Sequence, residues 1–103
     1  MFKNNQDHEA LIQAVLTLQS PKEAKAFLRD LLTETELQEF AHRWVAARML
    51  AEGIPYTEIQ AKTGLSSRTV ARISKWLHKG MNGYKKIIAR THHHSLPSKK
   101  VRD

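Results

Sequence analysis

The sequence predicts an all-α protein, a bundle of about six helices that contains a helix-turn-helix near its C-terminal end. Three observations carry this prediction. No segment alternates apolar and polar residues over a useful length, so strands have no support. Apolar residues recur instead at intervals of three and four. Between these runs stand serine, threonine, proline and glycine in the positions that start and stop helices.

The first element is DHEALIQAVLTLQ, which sets Leu11, Ile12, Val15, Leu16 and Gln19 on one stripe. Ser20-Pro21 restarts the chain, because serine caps well and proline suits the first helical position. The second helix, PKEAKAFLRDLL, presents Ala24, Phe27, Leu28, Leu31 and Leu32. Thr33 with Glu36 forms a capping-box pattern for the third, ETELQEFAHRWVAARMLAEG. There Leu37, Phe40, Ala41, Trp44, Val45 and Met49 make a broad apolar face, and Gly53 is placed to end it. Thr57 with Gln60 is the expected cap of a short fourth helix that Gly64 stops. Ser66 or Ser67 caps the fifth, over residues 66–78, and Lys79-Gly80 breaks the chain before a last helix, NGYKKIIAR. The expected layout is one domain over residues 1–90: core and dimerisation helices in 6–53, the helix-turn-helix in 54–78, and a C-terminal helix in 81–90. Residues 91–103 are polar and aperiodic, the pattern of a disordered basic tail.

Composition narrows the function. The chain has 103 residues, 41% of them hydrophobic, which allows one small core and favours stabilisation by dimerising. Cysteine is absent, so disulfides, thiolate metal sites and cysteine nucleophiles are excluded. No apolar run is long enough to cross a bilayer, and MFKNNQDHEAL lacks a signal-peptide core, so a soluble cytoplasmic protein is expected. The formal net charge of +7 is unevenly spread. Residues 1–40 hold four Lys/Arg against seven Asp/Glu, whereas residues 41–90 hold ten against two. A half this basic has its natural partner in a polyanion, of which nucleic acid is the commonest.

The stretch GLSSRTVARISKW (64–76) concentrates the chemistry. On its helical wheel Val70, Ile73 and Leu77 fall on one side and anchor the helix. Arg68, Arg72, Lys75 and Lys79 form a single stripe on the other. The major groove of DNA admits one such helix, whose N-terminal residues approach base edges while basic groups engage phosphates. Arg68 is therefore the expected base reader, with Ser67 and Ala71 as shorter contacts. Arg72, Lys75 and Lys79 are the expected phosphate contacts, Thr69 and Trp76 flank the stripe, and Ser66 and Thr69 join the expected DNA contacts. His92, His93 and His94 form no expected metal site, since three consecutive residues converge poorly and no carboxylate or cysteine completes a shell. No cofactor is implied, and no nucleophile–base cluster or phosphate loop supports an enzyme.

The stretch from LLT at 31 to ARI at 73 resembles the core of the Trp repressor family, and more closely its YerC/YecD-type branch. The resemblance runs over about residues 28–78. Its anchors are LLT, Arg43, the EG before the fourth helix, and TGLSSRTVARI. Gln60 also fits, because the family has a polar residue where many helix-turn-helix proteins carry alanine; it joins the expected DNA contacts. The resemblance implies an interlocked all-helical homodimer, a bacterial transcriptional repressor bound to a roughly palindromic duplex site. It also implies an effector pocket, carried over here to Thr33, Arg43, Thr69 and Arg72. The next position departs from the pattern: Ile73 replaces a glycine that leaves room for the corepressor indole, and Trp76 replaces a serine. The expected protein is a repressor that does not respond to L-tryptophan. A tryptophan- or other effector-dependent repressor, and a dimeric interaction or RNA-binding adaptor, are the alternatives.

Overall fold

A computed structural model describes residues 4–95, and among these every regular element is a helix. The order is α1 (Asn4–Leu16), α2 (Pro21–Leu31), α3 (Glu34–Ala51), α4 (Tyr56–Thr63), α5 (Ser67–Lys79) and α6 (Gly83–Ser95). The all-α architecture is the one its periodicity predicts. No helix among the described residues is long and apolar enough to cross a membrane. The chain divides into two compact units, one up to Leu37 and one from Gln38 onward.

In the first unit, the cap signals form as read. The Ser20 hydroxyl accepts the Glu23 N–H at 3.1 Å, with Pro21 in the first turn. Thr33 Oγ1 accepts the Glu36 N–H at 3.1 Å, and Glu36 Oε1 accepts the Thr33 N–H at 2.9 Å. Both orphan donors of that helix start are thus satisfied reciprocally. Gln19 falls outside α1, which closes at Leu16 as the Thr17 and Leu18 N–H groups turn back to the Ala14 and Val15 carbonyls. None of the unit's described side chains is buried: Leu11, Ile12, Val15 and Leu16 of α1 are exposed, while Ala24, Phe27, Leu28 and Leu32 of the second stripe are partly covered.

The second unit holds the core: Ala46, Ala47, Ile59, Val70 and Ile73, with Met49, Leu50, Ile54, Leu65, Tyr84 and Ile88 packed against them. This corrects the expected register of α3. The face read as buried leaves Phe40 and Ala41 exposed and Trp44, Val45 and Met49 only partly covered, whereas Ala46 and Ala47 are fully buried. The smallest apolar side chains let neighbouring helices approach closest, and hydrophobicity alone ranks them too low. At the end of α3 the Ile54 N–H bonds to the Met49 carbonyl and Gly53 to Leu50, the paired closure that a left-handed residue allows; Gly53 has φ 80°.

Two further expectations change. Thr57 does not cap α4: the helix begins at Tyr56 with Pro55 at the cap position and no side-chain cap bond. Proline's fixed φ of −63° with an extended ψ already supplies the cap conformation, two residues earlier. The last helix runs to Ser95, so residues 91–95 are helical rather than the start of a disordered tail. The Thr91 hydroxyl donates to the Ile87 carbonyl at 2.9 Å, and backbone bonding continues where apolar periodicity has stopped. The rest of the expected tail, 96–103, lies outside the described residues.

Candidate nucleic-acid interface

The turn between α4 and α5 positions the basic helix. Gly64 sits at φ 77°, a left-handed conformation that glycine adopts without strain, and its N–H closes α4 on the Gln60 carbonyl at 2.8 Å. Thr63, the one polar residue buried among those described, holds the turn from inside. Its hydroxyl donates to the Ile59 carbonyl at 2.8 Å and accepts the Leu65 N–H at 3.2 Å. Ser66 then caps α5, accepting the Thr69 N–H at 3.1 Å. Ser66 rather than Ser67 is the cap, which leaves the Ser67 hydroxyl at the first helical position.

Along α5 the two stripes separate cleanly. Val70, Ile73 and Leu77 are buried, and Val70 and Ile73 join Ile59 of α4 and Ala46 and Ala47 of α3 in the core. Ser66, Ser67, Arg68, Ala71, Arg72, Lys75 and Lys79 are exposed, while Thr69 and Gln60 are partly covered. Charge placement also separates α5 and α6 from the helices before them. Helices α1 to α4 each carry an acidic residue in the first turn, where it complements the positive end of the helix dipole; α5 carries none. The positive N-terminus of α5 is left open beside Arg68. Lys85, Lys86 and Arg90 of α6 add further exposed basic groups. Sequence reasoning counted them only in the overall charge, because no motif marked them.

The residues carried over to an effector site each have local surroundings of their own. Thr33 is engaged in the α3 capping box. Arg43 pairs with Glu39 at 2.7 Å and lies 5.7 Å over the Phe40 ring, while its buried Nε has no partner. Both side chains of that pair are well exposed, so it contributes only about 0.3–0.5 kcal/mol. Thr69 is tied to the Ser66 cap, and Arg72 faces outward. Ile73 is 1% exposed and belongs to the core. Trp76 is neither core nor a plug beside Ile73: it is 47% exposed and lines a groove with Trp44 and Tyr84.

The family described as Trp repressor protein matches residues 6–92 of this sequence. The chain belongs to the Trp repressor family. It is 35% identical to the uncharacterized protein YerC of Bacillus subtilis, over 82 residues that span 80% of this chain and 79% of the relative. The solved structure of a TrpR-like protein from Eubacterium eligens superposes with a TM-score of 0.79 at 36% identity, covering 84% of this chain and 89% of that one. A candidate Trp repressor from Staphylococcus aureus gives the same TM-score of 0.79 at 31% identity, covering 84% and 87%. The match runs from within α1 into α6, so it takes in both the helix-turn-helix and the helices before it.

Proposed function

We propose that this Trp repressor family member is a cytoplasmic, sequence-specific double-stranded DNA-binding repressor that reads the major groove with α5. The observation that carries the reading is the division of that helix. Three buried apolar residues anchor it, and four exposed cations lie opposite. Arg68 is assigned to base edges, with Ser67 and Ala71 close to the groove floor; Arg72, Lys75 and Lys79 are assigned to phosphates. Gln60, Ser66 and Thr69 stand at the helix-turn-helix entrance and orient it.

The working unit is a homodimer on a roughly palindromic site, two half-sites about one helical turn apart. The open apolar face of α1 supports this: Leu11, Ile12, Val15 and Leu16 are all at least 44% exposed in the single chain. Contiguous apolar exposure of this kind marks an association surface.

The repressor acts without L-tryptophan. Ile73 is packed into the core, and the expected effector residues are taken up in a cap, an ion pair and the outer face of α5. The unpartnered Arg43 Nε favours some other small effector as the second reading. Filter binding to mixed duplex DNA at two salt concentrations tests the main proposal. Affinity that falls steeply with salt supports phosphate contact; no binding at low salt rejects it.

A further inference from the structure

The link between α5 and α6 holds a pair of residues that the DNA reading does not use. Asn82 and Gly83 follow each other directly, and Gly83 begins α6. Among the described residues Asn82 is the one non-glycine residue with a positive φ, at 70°. That left-handed conformation is unfavourable for L-residues, though asparagine tolerates it better than most. Asn82 and Gly83 are both exposed, and the preceding Met81 is 96% exposed, so water reaches the link. The Gly83 N–H stands in the first turn of α6 and has no partner within the helix. Lys79, Lys85 and Lys86 are exposed within four residues of Asn82 along the chain.

We propose that Asn82 is a site of spontaneous deamidation, and that the negative charge it gains weakens DNA binding. The modification stands on the Asn82-Gly83 link alone; its effect on DNA rests on the reading of α5 given above. Glycine is the following residue that favours the reaction most, because no side chain hinders its nitrogen. The link must open for that nitrogen to face the asparagine side chain, and exposed links between helices open at small free-energy cost. The Gly83 backbone nitrogen loses its proton to solvent base and attacks Asn82 Cγ. The new N–Cγ bond closes a five-membered succinimide; the Cγ–Nδ2 bond breaks, and ammonia leaves after taking a proton back. Water then opens the ring at either carbonyl. Opening at Cγ leaves aspartate in the ordinary main chain, and opening at the backbone carbonyl routes the chain through Cγ as isoaspartate. One water is consumed and one ammonia released, with no oxidant or reductant. The neighbouring ammonium groups favour the step, since they stabilise the anionic nitrogen that attacks.

Either product places a carboxylate in a stretch, 59–102, that holds no acidic residue, and lowers the formal net charge by one from +7. Lys79, assigned to phosphate, is three residues away. Three residues span at most about 11 Å of chain, close to the Debye length of about 10 Å at 0.1 M salt, so the phosphate feels the new charge. The full-length protein is aged in mildly alkaline buffer, beside the same chain held unfolded in urea. Peptide mapping by mass spectrometry follows the gain of one mass unit at each asparagine. Asn4 and Asn5, which precede Asn and Gln, serve as internal references. Residue 82 is expected to convert well before them, with isoaspartate among its products. A Cβ on Gly83 would meet nothing within 4 Å, so Gly83→Ala keeps the fold and is expected to slow conversion about tenfold. Asn82→Gly suits the positive φ and has no amide, so its duplex affinity is expected to hold through ageing. The aged wild type and Asn82→Asp are each expected to bind duplex about two- to threefold more weakly than fresh protein.

Isoaspartate at residue 82 of the folded protein supports the site. Conversion in urea with none in the folded protein overturns it, because the assembled protein then holds the link closed. Conversion no faster than at Asn4 or Asn5 also overturns it. Conversion with duplex affinity unchanged, in the aged protein and in Asn82→Asp alike, overturns the effect on DNA alone. A protein that converts but binds no duplex at low salt, even when fresh, overturns that effect together with the DNA reading, while the modification stands.

Discussion

Ser66 and Thr69 are joined twice: the Ser66 oxygen accepts the Thr69 backbone N–H at 3.1 Å, and the Ser66 hydroxyl donates to Thr69 Oγ1 at 3.1 Å. The same serine therefore starts the basic helix and fixes the side chain of its third residue. Ser66→Ala is expected to cost about 1 kcal/mol in urea unfolding, the usual loss for an N-cap. Ser66→Asp keeps the cap and recovers that stability, yet adds a negative charge where phosphate approaches. Duplex affinity falling in Ser66→Asp while stability holds would separate the two roles; unchanged affinity places Ser66 outside the interface.

Arg68 and Lys75 are both exposed on α5 but are assigned different work. Arg68→Ala should relax preference at one position of the selected site, with a loss of about 1–3 kcal/mol there. Lys75→Ala should weaken all duplexes alike and reduce the salt slope by about one. Selection from random duplexes followed by salt titration reads both. An Arg68→Ala protein with its site preference intact would contradict the assignment.

Calorimetry of the wild-type chain with L-tryptophan should show no binding at micromolar concentrations, and no gain in operator affinity. The physical reason is Ile73, buried between Val70, Ile59 and the alanines of α3. Ile73→Val should lower stability by about 0.5–1.5 kcal/mol, and Ile73→Ala by about 2–5 kcal/mol. Heat released by the wild type on L-tryptophan addition would show that the core at Ile73 opens.

Gly80 cannot carry a side chain without movement of the backbone. A Cβ there would lie 2.5 Å from the Trp76 carbonyl oxygen, a fixed helical atom that also accepts the Gly80 N–H at 2.9 Å. Gly80→Ala should destabilise the chain by about 1–3 kcal/mol, through local distortion at the end of α5. Thermal unfolding of the purified variant checks it, and an unchanged midpoint would refute it.

Val15→Asp places a charge in the open apolar face of α1 without disturbing a buried position. Sedimentation equilibrium should show a dimer for the wild type and a monomer for the variant, with helical content retained. A variant that remains dimeric would move the interface away from this face.

The elements were legible because caps are local chemistry. Ser20, Thr33, Gly53 and Gly64 act through bonds within a few residues, and all four stand where the sequence places them. The α5 stripe was legible for the same reason: Val70, Ile73 and Leu77 against Arg68, Arg72, Lys75 and Lys79 differ too strongly for the wheel to be read another way. The burial register of α3 was not legible. Alanine carries little hydrophobic signal, so Ala46 and Ala47 ranked below Phe40 and Trp44 until neighbouring helices were placed against them. The groove was hidden as well, since Trp44, Trp76 and Tyr84 meet across three helices and no short motif joins them.

The sequence by itself determined that this protein is helical, that it carries a helix-turn-helix, and which face of α5 is basic. Each of these depends on spacings of four residues or fewer, within reach of local backbone and side-chain chemistry. Tertiary structure alone decided that Ala46 and Ala47 are the α3 residues in the core, that Trp76 stands half-exposed, and that the α1 face is left open in one chain. Those outcomes depend on which surfaces meet and how closely, and packing distance is a property of the assembled helices rather than of any one segment.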